Sequence, residues 1–491
     1  MPDQTIAAPI ATAIRGRLLS FHRAPAGPGD LDCLTYLEDG LLLADADGRI
    51  LETGDWADLR GRLPAGLTVD DHGGKLVLPG FIDTHIHFPQ TQVIASYGAQ
   101  LLDWLEKYTF IEEQRFADPA HAAANAAFFM DELLRNGTTT AVVYGSVHPQ
   151  SVDALFAEAE ARGAGLIAGK VMMDRHAPAA LTDTADGSYR DGKDLIGRWH
   201  GRGRQRYAVT PRFAITSTEA QLEAAGALLR EHPGVHMQTH LSENTDEIAE
   251  VRRLFPGARD YTDVYDRFGL LGPTSLFGHC IHLSEAEMAR LSESGSVAVF
   301  CPTSNLFIGS GLFDLDALSR PGRPVRTAIA TDVGGGTSYS MLRTAAEAYK
   351  VLQLRRRNLP ALAALHWMTR GNAEALGMAG EIGSLEPGRW ADLVVLDPAA
   401  TPAMRHRMKT VDGDLEEELF IQVTLGDDRS VAATYLRGRK SHPRRQGSES
   451  VLTDINVEDS VEVIGVPACQ LPAELDAGGS GSGGRLFGGA P

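Results

Sequence analysis

Two histidines one residue apart close the run Pro79-Gly80-Phe81-Ile82-Asp83-Thr84-His85-Ile86-His87. On a strand, His85 and His87 project to the same side, because side chains alternate between faces. Two imidazoles on one face can hold a metal ion, although such a pair alone is a weak signal and also occurs on ordinary surface strands. Three further groups add weight. His240 closes Val235-His236-Met237-Gln238-Thr239-His240, His279 closes Leu276-Phe277-Gly278-His279, and Asp332 closes Ala328-Ile329-Ala330-Thr331-Asp332. Singly, each is commonly a hydrogen-bonded core residue. Five such groups at the same end of four strands point to a metal site. Nitrogen ligands with one carboxylate suit zinc, with iron(II) as the rival. Zinc lowers the pKa of a bound water from about 15.7 towards about 7, which makes a nucleophile at neutral pH. Glu243, in His240-Leu241-Ser242-Glu243-Asn244, stands in the loop above the strand that carries His240, where a general acid/base is needed. An isolated glutamate in a loop is otherwise a solvated carboxylate.

These groups share a site only if the strands that carry them lie side by side. The middle of the chain alternates short β-branched runs with helical stretches, the pattern of βα units around a parallel sheet. Eight candidate strands end near His87, Tyr144, Met173, Phe213, His240, His279, Thr303 and Asp332. Between the first two, Asp118 and Pro119 suit the N-cap and first position of a helix from Ala120 to Arg135, which Asn136-Gly137 ends. Eight such units predict an α/β fold of the (β/α)8 TIM-barrel type over residues 79–380. The glycine-rich turn of a dinucleotide-binding, doubly wound sheet is missing after the first strand. Residues 1–78 and 381–440 have a different texture, short apolar runs broken by Gly, Pro and Asp. Examples are Gly40-Leu41-Leu42-Leu43-Ala44, Lys75-Leu76-Val77-Leu78, Ala391-Asp392-Leu393-Val394-Val395 and Ala432-Ala433-Thr434-Tyr435-Leu436. They predict one small β-sandwich domain completed by both ends of the chain. Residues 441–491 are polar and Gly/Ser-rich, which predicts a disordered tail.

Composition narrows the partners. The formal net charge of −18 argues against a nucleic-acid backbone, whose phosphates need Lys and Arg. No stretch is long and apolar enough to span a bilayer, and Met1 to Arg15 lacks the basic-then-apolar pattern of a secretion signal. Four cysteines without a CxxC pair fit a reducing compartment, so a cytoplasmic protein acting on a small molecule is expected.

The HxH after Pro-Gly-Phe-Ile-Asp, the strand-end histidines, Asp332 and the closing Gly383-Ser384-Leu385-Glu386-Pro387-Gly388 together resemble the amidohydrolase superfamily, from about Ala13 to Lys440. More narrowly, His87-Phe88-Pro89-Gln90, Leu101-Leu102-Asp103-Trp104-Leu105-Glu106, Pro211-Arg212-Phe213, Cys301-Pro302-Thr303-Ser304-Asn305 and Thr331-Asp332-Val333-Gly334-Gly335-Gly336-Thr337-Ser338 resemble its guanine deaminases. The resemblance implies one zinc ion on His85, His87, His240 and Asp332, with His279 orienting the activated water or the tetrahedral intermediate. Two-metal members use a modified lysine on the fourth strand; here Tyr207-Ala208-Val209-Thr210-Pro211-Arg212-Phe213 has none, and the nearest, Lys170, sits on the third. The implied reaction is attack of the activated water at C2 of guanine, with Glu243 moving its proton to N3. Asp332 helps the second proton to the amine, and ammonia and xanthine result. Gln90, Arg212 and Phe213 are implied substrate contacts. An Arg fork can donate to O6, a Gln amide offers a donor and an acceptor, and a Phe ring can stack on the purine. A homodimer is implied as well. Two positions depart from the family: Phe300 stands where a histidine is usual, and Ile215 where a proline is usual. The competing reading is an aminohydrolase of another heterocycle, such as a pterin, a triazine, cytosine or an adenosine derivative. The His-x-Glu and Pro-Cys-x-x-Cys elements of cytidine-deaminase-like zinc enzymes are missing.

Overall fold

Strands from both ends of the chain meet in one sheet in the computed structural model, which describes residues 9–98 and 100–443. From the N-terminal piece come β1 (Thr12–Phe21), β2 (Leu34–Ala44), β3 (Ile50–Asp55) and β4 (Val69–Pro79). The barrel strands are β5 (Phe81–His87), β6 (Thr138–Tyr144), β7 (Gly165–Gly169), the two-residue β8 (Val171–Met172), β9 (Arg206–Pro211), β10 (His236–Leu241), β11 (Ser275–His279), β12 (Val297–Phe300) and β13 (Arg326–Ile329). From the C-terminal piece come β14 (Leu393–Leu396), β15 (Val431–Leu436) and β16 (Arg439–His442). The seven-stranded sheet has the order β16-β15-β14-β4-β1-β2-β3, so the two pieces join where β4 and β14 pair antiparallel. One face buries Ile14, Leu42, Ile50, Val77, Leu393, Val395 and Tyr435, residues from both pieces in one apolar cluster. The strand β16 runs past Lys440, the expected end of this domain. The remainder of the expected tail, from residue 444, lies outside the described residues.

In the second sheet, β5, β6, β7, β9, β10, β11, β12 and β13 follow one another in chain order with parallel pairing, and β8 adds to β9. The helix Pro119–Arg135 begins as the sequence predicts, with the Asp118 carboxylate accepting from the Ala120 amide at 2.9 Å. It ends before Gly137, whose φ of +79° and close approach to Val394 leave no room for a side chain. Two strand ends differ from expectation. The seventh barrel strand stops at Phe300, because Pro302 opens the helix Pro302–Phe307, which contains Thr303. The eighth stops at Ile329, three residues before Asp332. Among the described residues, no helix is long and apolar enough to cross a membrane.

An apolar cluster inside the barrel is built from Ile82, Val142, Ile167, Ala208, Leu276 and Val299, with Met378 and Ile382 packed against them. The seam between β5 and β13 is sewn mainly by side chains. The Asn372 amide nitrogen donates to the carbonyls of Ile82 (2.7 Å) and Ile329 (2.8 Å), and its oxygen accepts from the Ile329 N–H at 3.0 Å. Higher up, the Thr84 hydroxyl donates to Ile329 O at 3.1 Å, and Asp83 accepts from both the amide and the hydroxyl of Thr331. At the mouth, backbone bonds resume: Asp332 N–H donates to His85 O at 2.9 Å, and His87 N–H to Val333 O at 2.7 Å.

Replacing Asn372 by leucine keeps its branched shape but leaves buried backbone groups of both strands without these partners. We expect a loss of about 3 kcal/mol in stability, read from denaturant or thermal unfolding.

Candidate active site

The mouth of the barrel gathers all five groups expected there. His85 and His87 leave β5 on the same side, and their Nε2 atoms each lie 3.3 Å from Asp332 Oδ1. His240, on β10, brings its Nε2 to 3.2 Å from His87 Nε2. Metal–nitrogen bonds of about 2.0–2.1 Å in a tetrahedron place ligand atoms about 3.3 Å apart, so these separations fit one ion. Two further observations agree. His85 Nε2 is buried without a hydrogen-bond partner. His240 Nδ1 lies 2.6 Å from the Arg212 carbonyl, to which it can only donate, so its Nε2 carries a free lone pair. A second grouping is His85, His279, Cys301 and Asp332. Burial raises the Cys301 thiol well above its ordinary range, which makes it a poor ligand beside three imidazoles and a carboxylate.

His279 closes β11 and is held from behind, its Nδ1 2.8 Å from Asn305 Oδ1. Its Nε2 lies 3.3 Å from Glu243 and 3.8 Å from Asp332, between the two carboxylates. Glu243 is in the loop between β10 and the helix Thr245–Leu254, 2% exposed, and accepts from the Ser310 hydroxyl at 2.9 Å. Four residues in and beside this group adopt left-handed backbone: Ser242 (φ +51°), His279 (φ +71°), Cys280 (φ +50°) and Asp332 (φ +52°). Each costs about 1–2 kcal/mol in an L-residue, a burden typical of sites where side chains must be re-aimed at a strand end.

A cavity opens on this cluster. Gln90, Arg212 and Phe213 line it together with His87, His240, Glu243, His279 and Asp332, so the expected substrate contacts face the expected chemistry. Leu101, Trp104 and Leu105 form an apolar wall.

Residues 76–440 match the family model described as the amidohydrolase family. The chain belongs to the amidohydrolase family. It is 48% identical over 433 residues to the guanine deaminase of Escherichia coli, covering 88% of this chain and 98% of that one. The solved structure of E. coli guanine deaminase superposes with a TM-score of 0.85 at 47% identity, over 89% of this chain and all of that one. A guanine deaminase from C. acetobutylicum, solved with guanine bound in its active site, gives a TM-score of 0.77 at 27% identity, over 87% of this chain and 99% of that one.

Amidohydrolases depend on metal, and the lysine test can be made on this amidohydrolase directly. The strand β9 has no lysine, and the buried Lys170 ammonium is paired with Asp183. Sequence reasoning missed several side chains that support the site. Asn305 was visible only as part of a motif. Asp83 sits inside the motif that was read for its histidines. Ser310 has no signal at all, and Glu113 looks like one of a pair of ordinary helix acids.

Burial dominates the electrostatics. It pushes the Glu243 carboxyl up to about 8, with the nearby Asp332 charge adding to the effect. Glu247, just behind, rises to about 7 through burial and then Glu243. His87 is pushed down to about 3 by burial, and His240 well below its ordinary value by burial and by its imidazole neighbours, so both are neutral ligands-in-waiting. Burial also opposes ionisation of Asp332, but its close contacts with the imidazoles around it outweigh this and hold the group well below the carboxylate range.

The sign of the resulting pH dependence follows. In metal-stripped protein, Glu243 keeps its proton in the fold up to about pH 8, whereas the unfolded chain loses it near 4.5. The contribution of Glu243 to stability must therefore fall as pH rises from about 4.5 to about 8, on top of the opposite contribution from histidines that titrate in the unfolded chain near 6.5. In thermal melts of the metal-stripped proteins, wild type should lose stability relative to Glu243→Gln across that window.

Proposed function

We propose that this chain is a zinc-dependent guanine deaminase, converting guanine and water to xanthine and ammonia. The observation that carries the reading is one buried cavity with Gln90, Arg212 and Phe213 on one side and the His/Asp/Glu cluster on the other. The similarity to guanine deaminases over nearly their whole length supports it.

In this reading His85, His87, His240 and Asp332 hold the ion, whose Lewis acidity makes water nucleophilic at neutral pH. Phe213 and the apolar wall hold the purine plane, while Gln90 and Arg212 bind its polar edge and turn C2 towards the cluster. Glu243 takes a proton from the water as its oxygen adds to C2, and passes that proton to N3. Burial raises its affinity for a proton, which suits its taking one up from the water between two steps. His279, whose Nδ1 donates to Asn305 Oδ1, presents the Nε2 lone pair to the attacking water and orients it. Asp332 carries the second proton to the amine; the C2–N bond then breaks and ammonia leaves. The homodimer that the resemblance implies and the cytoplasmic setting that composition implies belong to the same proposal.

The test is a spectrophotometric assay of the purified protein against purines and pterins, with ammonia release and metal content measured in parallel. Xanthine should form from guanine with about one zinc per chain, and failure to turn over guanine would sink the substrate assignment. Glu243→Gln should keep its metal and lose at least about 100-fold in kcat.

A further inference from the structure

Glu113 touches neither the histidine cluster nor the cavity surface, yet both polar groups of the purine-facing wall converge on it. It is 1% exposed and ends the helical turn Phe110–Glu113, in the excursion that follows β5. Its Oε1 accepts from Gln90 Nε2 at 3.1 Å and from Arg212 Nη1 at 2.9 Å, and its Oε2 accepts from the same Nη1 at 2.7 Å. Gln90 and Arg212 are each 2% exposed, so these bonds form away from water.

The first consequence is orientation. Gln90 Oε1 accepts from the Gly334 N–H at 3.1 Å. Turning the amide over would set its oxygen against the Glu113 carboxylate and its NH2 against the Gly334 N–H. Only one orientation satisfies both neighbours, and it leaves one N–H and one lone pair of the amide for a ligand. Arg212 is held in the same way. Its Nη1 is taken by Glu113, while Nε and Nη2 make no hydrogen bond among the described residues, and the side chain lines the cavity. About three N–H donors remain on that edge of the guanidinium.

The second consequence is charge. A buried, unpaired guanidinium favours an anion, because burial makes an isolated charge expensive. Paired with Glu113, Arg212 offers the same donors on a wall of zero net charge. Such a wall fits a neutral ring that presents a carbonyl oxygen. It discriminates against a ring that presents an amino group there, since two sets of donors would face each other.

We infer that Glu113 is a positioning residue that sets the pocket's preference for a neutral oxopurine, by fixing the Gln90 amide and neutralising Arg212. The inference rests on the purine reading above.

The experiment uses the metal-loaded full chain and two competitive inhibitors that have no 2-amino group to lose. Hypoxanthine has the 6-oxo group and purine lacks it. In Glu113→Gln the inhibition constant of hypoxanthine should rise about 10-fold while that of purine moves less than about 2-fold. The loss for guanine should appear mainly in KM, with metal content unchanged. Parallel weakening of both inhibitors, no weakening, or a loss confined to kcat would overturn the inference. If Glu113→Gln does not fold, Arg212→Met and the double variant Arg212→Met/Glu113→Gln decide the matter, since the second removes both charges together. The double should bind hypoxanthine no worse than the single, and additive losses would overturn the proposal. Failure of wild-type protein to deaminate guanine strikes the purine reading instead, so the two failures are distinguishable.

Discussion

The seam where β13 meets β5 sets the geometry of everything at the mouth. A parallel barrel has one pair of strands that must be joined across the whole length of the chain, and here the join carries three of the groups that face one another most closely. His85 and His87 belong to β5, and Asp332 follows β13. The bonds Asp332 N–H to His85 O and His87 N–H to Val333 O are at once the closing rungs of the sheet and the constraint that sets the ligand spacing. Below them, Asp83, Thr84 and Asn372 replace ladder bonds by side-chain bonds, so the strands can splay and Asp332 can adopt its left-handed backbone without exposing polar groups. Stability and site geometry are one problem at this seam.

Burial then gives the residues their chemical character. In water each imidazole and each carboxylate would titrate near its ordinary value. In a dry cavity the same burial raises Glu243 and depresses His87 and His240, while Asp332 is kept ionised by the two imidazoles at its side. A proton shuttle, neutral nitrogen donors and an anionic donor thus arise from ordinary side chains. The outer partners refine this: the Arg212 carbonyl fixes the tautomer of His240, and Asn305 that of His279. Arg212 therefore serves both halves of the cavity, its backbone aiming a metal-facing histidine and its guanidinium lying on the wall opposite.

Much of this was legible without coordinates. Strand alternation placed His85 and His87 on one face, and repeated βα units placed the ends of β5, β10 and β11 in one ring, because parallel strands in a barrel all point the same way. The helix Pro119–Arg135 was marked by its cap and its terminating glycine, which are local signals. Less legible were strand ends such as Phe300 and Ile329, where a proline and the seam override β propensity. Glu113 and Ser310 gave no usable signal, since a carboxylate and a hydroxyl are common on any surface, and only their partners make them part of a site.

By itself, then, the sequence determined which side chains exist, which face of each strand they take, and the ring of parallel strands that presents them, because these follow from periodicities along the chain. The tertiary structure alone decided the roughly 3.3 Å spacing of the ligand atoms, the acidity of each group, and the convergence of Gln90 and Arg212 on Glu113. Those properties depend on distances between residues remote in sequence and on how completely water is excluded, and neither is encoded in any local pattern.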